Sequence, residues 1–175
     1  MRVLDIACGQ SKTPGAIGID SNPRVAPDVL HDLDATPYPF ADDSFDKIVC
    51  YNGIEHLARP LEVLQEISRI AVSGAIVEIT TPHFTSPDAY TDPTHRHALT
   101  SRSFDYLIDG TDLFQLDYAD AHFDKVSVHL SFINLPPILS RVIPWLANRD
   151  LLTYERRWAY LVPGHQLLFR LRVRK

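Results

Sequence analysis

The sequence predicts an α/β fold: a three-layer sandwich around a mostly parallel, seven-stranded sheet with a late antiparallel strand. Three observations predict it. Short apolar runs set off by turn residues fill the first half, interrupted by one amphipathic helical pattern. A strand, a helix and a strand in that order imply a crossover between parallel neighbours. The last third changes to a period of two, as in antiparallel or edge strands with one polar face.

Taken in order, Val3 to Ala7 reads as a buried first strand, Ala16 to Asp20 as a second and Asp28 to His31 as a short third. Lys47 to Tyr51 is the fourth and Ala75 to Thr80 the fifth. Between these two, Pro60 opens a helix at the position where its missing N–H costs nothing. Leu61, Leu64, Ile67 and Ala71 share one face of that helix, Glu62, Gln65, Glu66 and Arg69 face water, and Gly74 is expected to end it. Late strands are expected where Val126, Val128, Leu130 and Phe132 alternate with polar residues, and again where Leu167, Phe169, Leu171 and Val173 do.

The chain has 175 residues, 45% of them hydrophobic, enough for one substantial core, and 1–175 reads as a single domain without repeat or linker. A formal net charge of −5 offers no general basic surface, so no nucleic-acid partner is expected. Cys8 and Cys50 both fall in apolar strands, which points to a reducing, cytoplasmic setting rather than to a disulfide. No apolar run approaches the length of a membrane span and no signal peptide is apparent. The oligomeric state is not legible.

The informative stretch is Asp5-Ile6-Ala7-Cys8-Gly9, followed by Pro14-Gly15 and Ile19-Asp20. A glycine just past a first strand lets backbone pass close beneath a ligand. An acid at the end of the second strand can accept both ribose hydroxyls of a nucleoside. Asp5 to Gly9 resembles the first motif of class I, Rossmann-like S-adenosylmethionine-dependent methyltransferases, and Asp20 their ribose-binding acid. His31-Asp32-Leu33 resembles the third-strand element whose acid meets the adenine amino group. Phe40 to Asp46 resembles the lead-in to the fourth strand, and Glu55-His56-Leu57 a tripeptide just after it. The resemblance covers residues 2–82, and beyond them only the element order. It implies S-adenosylmethionine as cofactor, S-adenosylhomocysteine as product, and cofactor contacts from Asp5, Ala7, Cys8, Gly9, Asp20, Ser21, Asp32, Leu33, Tyr51 and Asn52. Asp34 competes with Asp32 for the adenine role, and Cys8 reads as packing rather than as a nucleophile. Only Gln10 to Gly15 stands where the family has a full first helix, which resembles a compact branch with a short loop there.

Two phosphate motifs fail. Before Lys12-Thr13 a phosphate-binding loop needs glycine, and Ser11 is there. Ser11 also replaces the second glycine of a dinucleotide-binding turn, which disfavours a nucleotide-dependent oxidoreductase.

Ligands of open α/β sheets bind beyond the carboxyl ends of the strands. The segments there hold Asn52, Glu55 and His56, then His83, Phe84, Tyr90, Asp92, His95, Arg96 and His97. Methyl transfer to a hydroxyl needs a proton removed, and histidine suits that task. His83, His56 and His95 are therefore the catalytic candidates, with Glu55, Phe84, Tyr90, Arg96 and His97 as acceptor contacts. A metal site from Asp92, His95 and His97, with or without His83, is weighed and set aside, so no metal is expected. Residues 82–122 and 135–162 read as acceptor-side or lid segments. In the latter, Pro136, Pro137 and Pro144 chop an apolar stripe, and Arg156 and Arg157 could meet an acceptor phosphate. The expected function is methyl transfer, by preference to oxygen, on a small or carrier-linked acceptor. The alternative is a catalytically inactive module that only binds S-adenosylmethionine.

Overall fold

The computed structural model describes residues 1–175. One seven-stranded sheet, flanked by helices, carries the architecture. Its strands are β1 (Val3–Ile6), β2 (Ile17–Asp20), β3 (Val29–Leu30), β4 (Phe45–Tyr51), β5 (Ala71–Pro82), β6 (His122–Leu130) and β7 (Gln166–Arg174). They lie in the order β3-β2-β1-β4-β5-β7-β6. The first five are parallel, and β7 runs antiparallel to both β5 and β6. All seven expected strands are present. The chain reverses its winding at β1, which has β2 on one side and β4 on the other, so a crevice opens at their carboxyl ends.

Helix α1 (Pro60–Ile70) starts at the expected proline and buries Val63, Leu64, Ile67 and Ile70. Its amino end is held from the loop after β3, where the Asp34 carboxylate accepts from the N–H groups of Ala58 (2.8 Å) and Arg59 (3.3 Å). Two expectations about α1 are corrected. Gly74 does not end it: Ala71 already begins β5, and Gly74 (φ +81°) sits where the β4–β5 pairing skips from Phe45↔Ala71 to Lys47↔Ile76. A left-handed residue inside a strand bulges it, and glycine takes that conformation without strain. Glu66 does not face water either. It is buried, accepts from the Tyr38 N–H at 2.6 Å, and is bridged by Arg69 at 2.5 Å. Helical periodicity cannot see a partner 28 residues away. Glu66→Ala is expected to cost about 3 kcal/mol, because it leaves Arg69 and a buried N–H without their acceptor. The urea midpoint should fall with the m-value unchanged; an unmoved midpoint contradicts the role.

In β6 a register shift between Lys125 and Ser127 turns Val126 outward, 43% exposed, against the expected alternation. In β7 the alternation holds: Leu167, Phe169, Leu171 and Val173 are all buried. Short helix α2 (Asp88–Thr91) follows β5. The prolines of the later segment do not chop it as expected, since α3 (Leu139–Arg149) runs through Pro144. Asn148 ties the helix to β6: its side chain donates to the carbonyls of Pro144 and Leu130 and accepts from the Leu130 N–H. Helix α4 (Leu151–Arg157) follows, capped by Asp150. No helix is long and apolar enough to cross a membrane.

Candidate active site

At the top of β1 the chain turns through Ala7 (φ +56°), and at the top of its neighbour β4 through Asn52 (φ +51°). Two non-glycine residues held left-handed on adjacent strands mark the crevice as a place where structure tolerates strain. Asp5, 2% exposed within β1, finds its partner in the Thr13 N–H at 2.6 Å, which ties the loop of residues 7–16 down onto the strand. That bond takes over the positioning that a first helix would provide.

Asp20, at the end of β2, is 8% exposed and accepts from Gly9 N–H (2.9 Å) and Asn22 N–H (2.8 Å), one through each oxygen. An ionised carboxylate has about four lone-pair positions, so each oxygen can also take one ribose hydroxyl. Open space lies above Gly9, where an added Cβ would touch nothing within 4 Å. The residues present therefore fit the nucleoside end of S-adenosylmethionine. The two loop acids differ in how they are engaged. Asp34 holds α1, whereas exposed Asp32 accepts only from the Asp34 N–H at 3.0 Å. Ser21 and Tyr51 are exposed at the same edge. Leu33 packs in the core, and its carbonyl accepts from the Tyr38 hydroxyl, so its side chain does not reach the crevice. Burial pushes the Cys8 thiol up, which suits packing and not nucleophilic chemistry.

Beyond the ends of β4 and β5 lies an open cleft of about 550 Å³. Asn52 and Glu55 line it from the β4 side, Pro82, Asp88, Thr91 and Asp92 from the β5 side, and Gln166 from the start of β7. His95 completes it, next to Pro93, and the two prolines are its only apolar side chains. The segment of residues 92–97 folds back over the turn after β4, with the Glu55 carbonyl accepting from Arg96 N–H (2.8 Å) and His97 N–H (3.3 Å). This brings Glu55, His56 and His95 together, the two imidazole rings 4.5 Å apart between centroids. Glu55 is 1% exposed, and neither of its carboxylate oxygens has a hydrogen-bond partner; burial pushes its carboxyl above the usual range.

Two of the three catalytic candidates, His56 and His95, thus meet at the cleft. His83 does not. It is fully buried, its ring held by the Thr85 hydroxyl at 2.7 Å on one side and 3.4 Å from Glu155 of α4 on the other. A strand-end histidine reads alike in sequence whether its ring turns to the cleft or under a helix. Among the acceptor candidates, Glu55 lines the cleft and Phe84 stacks on His83 and Tyr160. Tyr90 and Arg96 are exposed, and His97 is within 2.8 Å of the Leu57 carbonyl, a clamp on the turn. Sequence reasoning missed Asp88, Thr91 and Gln166. The last comes from a strand more than a hundred residues from its partner Asn52, to which it donates at 3.0 Å, and no motif signals that. Arg156 and Arg157 are exposed on α4, outside the cleft lining.

Residues 4–79 match the model of a family described as a methyltransferase domain. No curated protein sequence matches the chain. Among solved structures, it is similar to an S-adenosylmethionine-dependent methyltransferase from Archaeoglobus fulgidus (20% identity, covering 98% of this chain and 85% of that one, TM-score 0.60). It is also similar to the YcgJ protein of Bacillus subtilis (15% identity, 99% and 92% covered, TM-score 0.63). A third is the [4+2]-cyclase SpnF (16% identity, 99% and 75% covered, TM-score 0.59), so the shared fold does not by itself dictate the reaction.

Proposed function

We propose that this chain acts as a class I, Rossmann-like S-adenosylmethionine-dependent methyltransferase and transfers the methyl group to a hydroxyl oxygen of a small or carrier-linked polar acceptor held in the cleft after β4 and β5. The observation that carries the reading is the lining: carboxylates, amides, a threonine and a histidine, with Pro82 and Pro93 the only apolar side chains among them. Such a wall recognises a molecule rich in hydroxyl groups.

The cofactor supplies a methyl group on a sulfonium, whose leaving group is a neutral thioether that needs no proton. What this chain's residues contribute is positioning and proton removal. Asp20 and Asp32 hold the nucleoside at β2 and β3, and Asn52, fixed by Gln166, sits between nucleoside edge and cleft. Glu55, His56 and His95 stand where the acceptor's proton leaves. Residues 82–122 and 135–162 form the acceptor side and its cover, and all 175 residues act as one catalytic unit. With both cysteines free, the reading keeps the protein in a reducing cytoplasm. The ionisable groups around the cleft favour a catalyst over a module that only binds S-adenosylmethionine.

S-adenosylhomocysteine is expected to raise the melting temperature, by the equivalent of about 2.7 kcal/mol at a hundred times its Kd, while NAD, NADP and ATP leave it unmoved. With tritiated S-adenosylmethionine and pools of hydroxylated small molecules, label should enter methyl ethers. Label found only on nitrogen would overturn the hydroxyl assignment, and absence of any thermal shift would overturn the cofactor placement.

A further inference from the structure

The Glu55 carboxylate stands out among the buried acids because both of its oxygens lack a well-formed hydrogen bond. Glu155 of α4, whose side chain is 7% exposed, has its two oxygens engaged by the Ser101 N–H (2.6 Å) and hydroxyl (3.0 Å). Glu55 is less well served: the Thr81 hydroxyl, buried beside it, is a near donor but makes no well-formed hydrogen bond, and His95 Nε2 stays 4.0 Å away. A buried carboxylate without hydrogen bonds is costly unless a cation joins it.

The two histidines around it are set up alike. His95 Nδ1 lies 3.2 Å from the Ala89 carbonyl, which can only accept, so Nδ1 carries the proton and Nε2 the lone pair. His56 Nδ1 lies 2.9 Å from the Thr94 hydroxyl, and that hydroxyl donates its own proton to Asp92 at 2.7 Å. The hydroxyl therefore accepts from His56, and again Nε2 is left with its lone pair. A ring nitrogen fixed as donor to a carbonyl or carboxylate relay is the arrangement that orients histidine ligands of metals. One ligand atom from each of Glu55, His56 and His95 lies within 4.8 Å of the others.

We infer that Glu55, His56 and His95 bind a single first-row divalent cation of the zinc type, with its open coordination positions facing the cleft. Two imidazoles and one carboxylate suit zinc, iron or cobalt rather than magnesium or calcium, which prefer all-oxygen sets. A tetrahedral site with bonds of about 2.1 Å needs ligand atoms about 3.4 Å apart, a contraction that imidazole rotation supplies. The residues differ from those a sequence reading pairs. His97 is engaged at Leu57 and His83 lies under α4, while Glu55 and His56 arrive from the turn after β4.

The test uses tag-free, chelator-treated protein titrated by calorimetry with Zn(II) alone and, separately, with Mg(II) alone. No acceptor is present, so the outcome is independent of the hydroxyl reading. One equivalent of Zn(II) is expected to bind, with Mg(II) far weaker. His95→Ala, His56→Ala and Glu55→Gln should each weaken Zn(II) by at least about tenfold, and Thr94→Val, which cuts only the relay, by about 10–100-fold. S-adenosylhomocysteine affinity should stay constant in Thr94→Val, an exposed position that threatens no fold. His122→Ala, an exposed histidine paired with Asp109, should leave Zn(II) affinity unchanged. Absence of saturable Zn(II) binding up to about 1 mM overturns the site. So does undiminished binding in both Glu55→Gln and Thr94→Val.

Discussion

Asp20→Ala is expected to weaken S-adenosylhomocysteine binding by about 10²–10⁴-fold, since two hydrogen bonds to a charged group at about 1.5–3 kcal/mol each are lost. Water entering the gap reduces the loss toward the lower figure. The change also releases the Gly9 and Asn22 N–H groups, which the carboxylate holds in place before any ligand arrives. Asp20→Asn, which keeps the shape but turns one oxygen into a donor, should fall between the two. Folding should survive, because the neighbouring core of Leu4, Ile6 and Ile19 is untouched. Calorimetric titration beside urea unfolding separates these effects. Unchanged affinity, or unfolding of the variant, would remove Asp20 from the ribose.

His95→Ala is expected to lower turnover by about 10²–10⁴-fold while S-adenosylhomocysteine affinity holds. The ring lines the acceptor cleft and touches nothing on the nucleoside side. His83→Ala supplies the contrast. Its ring is enclosed with Thr85, Phe84, Tyr154 and Glu155, so its removal leaves a cavity beside an acid. The loss there should appear as stability, with turnover per folded molecule kept. Measuring kcat and the urea midpoint for both variants distinguishes a residue at the reacting groups from one that holds α4 in place. If His83→Ala destroys turnover without destabilising, or His95→Ala is fully active, the assignment of the cleft fails.

These contrasts show where the sequence is legible. Buried parallel strands are continuous apolar runs, and the alternation of β7 is a direct image of one buried face, so the strands could be read and only the start of β5 and the bulge in β6 escaped. The residues expected on the nucleoside side come from short local motifs at strand ends, which is why a sequence can propose them. The acceptor side was not legible in this way, because it is assembled across the chain: Gln166 meets Asn52, Glu155 meets His83, and Arg96 N–H meets the Glu55 carbonyl. Periodicity also placed Glu66 outside, since a carboxylate in solvent and one enclosed by Tyr38 and Arg69 occupy the same helical position. In each case a long-range polar partner decided the outcome, and local pattern carries no trace of such a partner.

The placement of β7 between β5 and β6 has a consequence for how the protein is made. Synthesis delivers β5 first and β6 some forty residues later, yet the two never touch in the finished sheet. Until β7 emerges, β5 presents an open edge with Val77 and Ile79 beside it, and β6 has no strand to pair with. The nascent chain thus carries two unpaired edges at once, and closing them is a late, long-range event that local contacts cannot hasten. Glu78 on β5, with Asp124 and Lys125 on β6, keeps those waiting edges charged. Such charges discourage pairing with another chain before the right strand arrives.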